Sequence, residues 1–135
     1  MPENIAILQR IINQHNERPD GLRIWSDGLV QRGADDNPPP GLTERLDKDR
    51  EIKWQDVRQL TVVQVDAVRA AIRSSGIFHL EPILLINYCK EDPGTAIWTV
   101  DVDGESTRVV LWDPRPTRSA ALDTLTQAID KVLAS

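Results

Sequence analysis

The clearest pattern of apolar positions along the chain predicts an α-helix over about residues 62–75. Thr61 precedes this segment as a good N-cap, and Gln64, three residues later, completes the sequence of a capping box. Gly76 follows the last turn, where helices commonly end in a left-handed residue. The apolar side chains at three- and four-residue spacing are Val65, Val68 and Ile72. A helix with one such stripe packs on a hydrophobic core.

Two other segments, one near each end of the chain, also have apolar residues at helical spacing. The first covers residues 3–15, where we expect a short helix. An extended strand through residues 5–10 is the alternative, because periodicity alone does not assign a short apolar run. The second segment begins at about Ser119, a good N-cap. Its apolar face consists of Leu122, Leu125, Ile129, Val132 and Leu133.

Alternating apolar and polar residues around Asp27-Gly28 predict a β-hairpin in the stretch GLRIWSDGLVQRG. A two-residue loop at this pair places Trp25 opposite Val30 on the neighbouring strand. A further short strand is expected in EIKWQDVRQL, with Trp54 on one of its faces.

A second hairpin is predicted around Asp103-Gly104, again from alternation on both sides of a tight turn. With these two residues as the loop, one face of the hairpin is apolar and should be buried. Its pairs are Val100 with Thr107, Trp98 with Val109, and Ala96 with Leu111. Together with the preceding segment this hairpin predicts a three-stranded meander, with strands near residues 83–89, 96–102 and 105–112.

The opposite face of the second hairpin is more apolar than a solvated face requires. Exposed contiguous apolar area is typical of an interaction surface, and tryptophans on a sheet are often core or interface anchors. We therefore treat this face as a candidate interaction face, with coverage by the chain itself as the alternative. Its residues are Ile97, Thr99, Arg108, Val110, Trp112 and, from the first hairpin, Trp25.

These elements indicate one α+β domain over residues 1–135, with antiparallel hairpins in a twisted sheet and two or three helices packed on one face. A chain of 135 residues is long enough to bury a core without disulfides or metal. Residues 34–51 contain three consecutive prolines and dense alternating charge. We expect this Pro-rich segment to be a mobile loop.

Composition and charge exclude several classes of partner. The 16 basic and 21 acidic residues give a net charge of −5, and the basic residues are interspersed with acids, so no basic stripe is available for nucleic acid. The apolar runs, such as residues 83–86, are at most four residues long and too short to span a membrane. A single cysteine, Cys89, and no Asn-x-Ser/Thr acceptor favour the cytoplasm. The amino terminus also lacks the basic residues of a signal peptide.

The acidic run at residues 101–105 does not have the spacing of a calcium site. Aligned with an EF-hand loop, it places Thr99 at the first ligand position and Val110 where a bidentate glutamate is required. His15 and His79 have no second histidine or cysteine at a zinc-ligand spacing. No phosphate-binding glycine loop or nucleophile elbow occurs. We therefore expect no metal and no cofactor.

One alternative function uses a pocket between the sheet and the helices. Its candidate residues are His79, Cys89 and Glu91, which include a titratable imidazole, a thiol beside Lys90 and a carboxylate. Such a pocket would make the protein a small-ligand binder or an enzyme.

The layout of the chain resembles that of emfourins, which are small bacterial proteins, and of several uncharacterised domain families. The resemblance covers roughly residues 21–134. It includes the helix start Leu-Thr-x-x-Gln, the helix exit Ser-Gly-Ile-Phe-His-Leu, a hairpin with Val-Asp-Gly and a closing leucine-patterned helix. Emfourins inhibit thermolysin-like metalloproteases, so the resemblance implies a bacterial, non-enzymatic protein that docks on a partner. The Pro-rich segment has no clear counterpart.

The sequence as a whole favours a small, non-catalytic protein-interaction or regulatory domain in the bacterial cytoplasm. The expected partner is another protein or a second copy of the chain in a homodimer, with contacts through the candidate interaction face or the Pro-rich segment.

Overall fold

The computed structural model describes residues 4–13, 20–34, 53–84, 95–111 and 119–135, and these form one mixed sheet with two α-helices. The strands are β1 (Ala6–Asn13), β2 (Asp20–Trp25), β3 (Leu29–Ala34), β4 (Lys53–Gln59), β5 (Ile83–Leu84), β6 (Thr95–Val102) and β7 (Glu105–Leu111). The helices are α1 (Val62–Ser75) and α2 (Ala120–Ala134), and a 3-10 turn covers Ile77–His79. Most of the Pro-rich segment lies outside the described residues.

The strand order is β4-β3-β2-β1-β6-β7-β5, and every pair except the last is antiparallel. The described residues therefore confirm an α+β fold with an antiparallel sheet. The predicted meander is wrong in its first strand. β5 pairs with β7 in parallel, and the second neighbour of β6 is β1. Residues 85–94, which the meander prediction also used, lie outside the described part.

The prediction of an amino-terminal helix is wrong, and the alternative of a strand is correct. β1 lies in the middle of the sheet and pairs with both β2 and β6. A bulge between Ala6 and Leu8 interrupts its register with β2, and both Ile7 and Leu8 are fully buried. The central position of β1 buries these apolar side chains between two neighbouring strands and the helices, and this tertiary context outweighs a weak helical periodicity.

The two helices for which the sequence contains capping residues, α1 and α2, are confirmed. At the start of α1, Thr61 Oγ1 accepts from the Gln64 amide at 3.2 Å, and Gln64 Oε1 accepts from the Thr61 amide at 2.9 Å. Gly76 ends the helix with a φ of 89°. At the start of α2, Ser119 Oγ accepts from the Leu122 amide at 3.4 Å. Neither helix in the described ranges has the length and apolar character needed to cross a membrane.

The core lies between the two helices and one face of the sheet. Strand residues on this inner face alternate with residues on the other face, as the registers require. The helices contribute Val65, Val68, Ile72, Leu122, Leu125 and Ile129, and the strands contribute Leu8, Leu22, Ile24, Val30, Trp98, Val100 and Val109 among others. The predicted stripe of α1 and most of the predicted face of α2 are therefore core.

The predicted register of the first hairpin is wrong by one residue. Ile24, not Trp25, is the partner of Val30, because the loop has three residues, 26–28. Asp27 Oδ1 accepts from the Leu29 amide at 2.9 Å, and Gly28 takes a φ of 97°. Ile24 lies in the core, and Trp25 lies on the other face of the sheet.

The predicted register of the second hairpin is confirmed in full. Trp98 pairs with Val109 and Val100 with Thr107, around a turn at Asp103-Gly104. Both turn residues have positive φ, at 54° and 85°, as a two-residue hairpin turn of the primed type requires.

Replacement of Arg58 by alanine is expected to destabilise the fold by about 1–2 kcal/mol. Arg58 on β4 donates to the carbonyl oxygens of Leu133 and Ser135 at the end of α2, the second at 2.6 Å. It is a cation at the negative end of the helix dipole, and it ties α2 to the sheet. The change is measured by chemical denaturation and by amide hydrogen exchange in the last turn of α2.

Arg69→Ala is the matched control, because the ion pair of Arg69 within the described part of the chain is a 3.5 Å contact with Asp66 on the same helix. Loss of such a pair should change stability by about 0.5 kcal/mol or less. Equal effects of the two substitutions, or unchanged exchange in α2 of the Arg58 variant, would contradict the anchoring role.

Candidate functional site

The sheet face that points away from the core, called the outer face below, carries a continuous row of polar side chains. Neighbours in this polar row are register partners on adjacent strands, about 5 Å apart. From β4 to β7 the row consists of Asp56, Gln31, Arg23, Gln9, Thr99 and Arg108. The row crosses six strands, so its residues come from distant parts of the sequence.

Two indoles flank the arginine of this row. The Arg23 guanidinium carbon lies 3.9 Å from the ring centroid of Trp54 and 5.5 Å from that of Trp25. Both distances are within the range of cation–π attraction. We call Trp25, Arg23 and Trp54 the Trp–Arg–Trp stack; all three side chains are half-buried.

Two glutamines hold the stack in place. Arg23 donates from Nε and Nη2 to Gln9 Oε1, at 2.9 and 2.7 Å. Trp25 Nε1 donates to Gln31 Oε1 at 2.7 Å, and Gln31 Nε2 in turn donates to Asp56 Oδ1 at 2.8 Å. Two of the three stacked side chains therefore have fixed orientations.

The space for the Trp54 indole is provided by two glycines. Trp54 pairs with Gly33 on β3, and Gly33 pairs with Gly21 on β2. A Cβ atom at Gly21 would lie 2.8 Å from Trp54 Cη2, closer than such atoms approach in proteins. The absence of a side chain at Gly21 lets the indole extend over β2 toward Arg23.

The charge of Arg23 is partly desolvated and is not neutralised by a described carboxylate. Burial lowers the pKa of its guanidinium from the ordinary value, although an arginine stays charged at neutral pH. Its hydrogen-bond acceptor, Gln9, is a neutral amide. Within the described ranges of the chain no acidic side chain pairs with it. The stack therefore presents a positive charge between two apolar rings.

The residues of the predicted interaction face have different environments in the structure. Ile97 and Val110 are only 7% and 6% exposed, so the chain itself covers them and leaves little of either for a partner. Thr99 is half-buried and Arg108 is exposed, and both belong to the polar row. Trp25 belongs to the stack. Trp112 lies outside the described residues.

Sequence reasoning did not identify Arg23, Trp54 and the two glutamines as members of one site. Trp25 was predicted as part of the interaction face, but its relation to Arg23 and Trp54 was not. The usable signal was the spacing Gly21-x-Arg23-x-Trp25, three residues that share one face of a strand.

A shallow cleft lies beside the second hairpin turn and contains one of the predicted pocket residues. It has a volume of about 320 Å³ and is lined by Arg73, Phe78, His79, Val102, Asp103 and Glu105. Arg73 forms an ion pair with Asp103 across it. Cys89 and Glu91, the other predicted pocket residues, lie outside the described part. Ligand binding or catalysis at His79 stays a prediction.

The acidic run at the second turn has a structural use. Asp103 occupies a left-handed turn position and pairs with Arg73 of α1, so it joins the hairpin to the helix. Among the residues that the structure describes, no group of three histidine, cysteine or acidic side chains is arranged to hold a metal ion.

Comparison of the chain with models of known protein families, with curated proteins and with solved structures finds no match. The resemblance to emfourins therefore stays a prediction from the layout of turns and helix ends.

Proposed function

We propose that this protein is a non-catalytic interaction domain that binds a partner protein through the Trp–Arg–Trp stack. The observation that carries the proposal is the stack itself, with Arg23 held between the rings of Trp25 and Trp54. Tryptophan and arginine are the residue types that most often contribute the largest share of binding energy at protein interfaces. A partner protein that covers the stack would bury aromatic area around a positioned charge.

The fixed geometry of the stack also supports a binding role. Side chains that are already ordered before association lose little conformational entropy when a partner covers them. Arg23 and Trp25 are ordered by bonds to Gln9 and Gln31. The alternative is a purely structural role, in which the stack only covers the outer face of the sheet.

The electrostatics of Arg23 favour binding over simple shielding. Partial burial of a guanidinium carries a desolvation cost, which a carboxylate partner normally offsets. Among the described residues, the acceptor for the Arg23 guanidinium is the neutral amide oxygen of Gln9. A residue whose local energetics are unfavourable in the free domain is typical of a functional site.

Trp54→Ala is expected to weaken partner binding by at least about 30-fold, the effect of losing a residue worth 2 kcal/mol or more. The partner is first captured by affinity purification with crosslinking, and the purified partner is then titrated calorimetrically against each variant. Gly21→Ala is a second test, because it keeps the Trp54 indole but occupies the space in which that indole lies.

Val57→Ala is the matched control, because Val57 is 52% exposed on the same strand but lies outside the stack. Circular dichroism and thermal unfolding check that every variant folds. A captured protein that binds the Trp54 and Val57 variants equally well would disprove binding through the stack. Light scattering of the wild-type protein tests whether the partner is a second copy of this chain. A dimer that Trp54→Ala dissociates would replace the separate partner by a second copy of this chain.

A further inference from the structure

We propose that Arg23 recognises a side-chain carboxylate of the partner, in a protein segment where apolar residues flank the acidic one. This inference rests on the proposed function and specifies the chemistry of the partner.

The hydrogen bonds of Arg23 leave one edge of its guanidinium available. Gln9 Oε1 accepts from Nε and Nη2, so it occupies the edge between these two atoms. The guanidinium has five N–H donors in a rigid planar arrangement. The end formed by Nη1 and the second N–H of Nη2 has no acceptor among the described residues. Two parallel donors at this end match the two oxygens of a carboxylate.

The charge of the site calls for an anionic acceptor rather than a neutral one. Hydrogen bonds between ionised groups are roughly twice as strong as neutral ones, and partial desolvation strengthens them further. The acid of the polar row, Asp56, is two strands away from Arg23, which is a backbone separation of about 10 Å. Asp56 already accepts from Gln31 at 2.8 Å. It is therefore not placed to neutralise Arg23 within the chain.

The rings of Trp25 and Trp54 define what lies beside the carboxylate. They border the guanidinium on both sides, at 5.5 and 3.9 Å. The neighbours of the bound acid would contact indole faces, which favour apolar side chains. A nucleic acid fits this surface poorly, because the chain has a net charge of −5 and a polyanion requires several basic contacts.

The test is selection of binding peptides from a random-sequence display library on the full chain. Wild-type protein is expected to select peptides in which aspartate or glutamate has apolar neighbours. Changing that acid to its amide should weaken binding at least about ten-fold, the effect of losing a charge-assisted hydrogen bond. Affinities are measured with synthetic peptides that carry a dye, from the change in fluorescence anisotropy, so that the signal does not depend on the tryptophans of the stack.

Three variants test whether Arg23 and Trp54 are responsible for the binding of these peptides. Arg23→Gln should remove the preference for acidic over amide peptides. Arg23→Lys should keep the preference but bind more weakly, because an ammonium has no planar pair of donors. Trp54→Ala should bind all selected peptides poorly. Thermal unfolding of each variant shows whether it is folded.

The outcomes separate the inference from the proposed function. Selected peptides that need Trp54 but show no acidic preference would overturn the carboxylate inference and leave the interaction domain intact. Acidic preference that survives in Arg23→Gln would overturn the role of Arg23. A selection that yields no peptide dependent on Trp54 or Arg23 would count against both.

Discussion

Gly28→Ala is expected to lower the free energy of unfolding by about 2–5 kcal/mol, as the sum of backbone strain and a steric clash. Gly28 has a φ of 97°, which a residue with a Cβ adopts only at a cost. Its Cβ would lie 2.5 Å from the Leu60 carbonyl oxygen and 2.7 Å from Gln59 Nε2. The Leu60 amide also donates to the Gly28 carbonyl at 2.8 Å. The alanine would therefore force the first hairpin turn away from the chain that leads into α1.

The second hairpin turn supplies the control for this substitution. Gly104 has a similar φ of 85°, but a Cβ there would meet no atom within 4 Å. Gly104→Ala should therefore cost only the strain, about 1–2 kcal/mol. Urea denaturation of both variants gives the difference, which isolates the clash with Leu60. Equal losses of stability would show that the turn at residues 26–28 does not depend on its contact with Leu60.

The elements that the sequence predicts well are those whose signals are local. The start of α1 needs only Thr61 and Gln64, three residues apart, and its end needs only Gly76. The register of the second hairpin follows from a two-residue turn at Asp103-Gly104. In each case the atoms that determine the structure belong to neighbouring residues. Local capping and turn motifs are therefore sufficient for these elements.

The elements that the sequence predicts poorly depend on partners far along the chain. β1 has a helix-like spacing of isoleucine and leucine, but it is a strand because β2 and β6 pair on its two sides. The parallel neighbour of β7 is β5, in a pairing that no turn between adjacent strands specifies. The first hairpin differs from its predicted register for a local reason. Its Asp-Gly pair is the same signal as in the second hairpin, but its loop has one more residue.

The candidate site could be predicted only in fragments. Trp25 was recognisable as a strand tryptophan and Thr99 and Arg108 as register partners, but the stack requires β2 and β4 to lie on the two sides of β3. It also requires Gly21 and Gly33 to be paired beneath the Trp54 indole. These juxtapositions follow from strand order, which a single sequence does not specify.

Trp25, Trp54 and Trp98 all lie in segments that the sequence predicts as strands, but their substitution is expected to have very different effects. Trp98 is 2% exposed in the core cluster, whereas Trp25 and Trp54 are half-buried on the outer face. Because Trp98 is buried in the core, its substitution should mainly reduce stability. Because the two tryptophans of the stack are partly exposed, their substitution should mainly weaken partner binding.

Trp98→Ala is expected to lower the free energy of unfolding by about 3–5 kcal/mol, the usual cost of truncating a buried aromatic residue and leaving a cavity. A second contribution comes from Arg10, whose guanidinium carbon lies 5.5 Å from the Trp98 ring centroid. Burial already lowers the pKa of Arg10, and its Nε has no hydrogen-bond partner among the residues that the structure describes. Loss of the indole would remove the aromatic face beside this partly desolvated charge.

Trp25→Ala is the matched comparison, because it removes an indole from the same sheet but from its outer face. It loses one hydrogen bond to Gln31 and one cation–π contact with Arg23, together worth about 1–2 kcal/mol in stability. Chemical denaturation of both variants measures the difference. If Trp25→Ala destabilised the protein as much as Trp98→Ala, the stack would be a second core, and its place as a binding surface would have to be abandoned. A large loss for Trp98 with a small loss for Trp25 leaves the stack free for a partner.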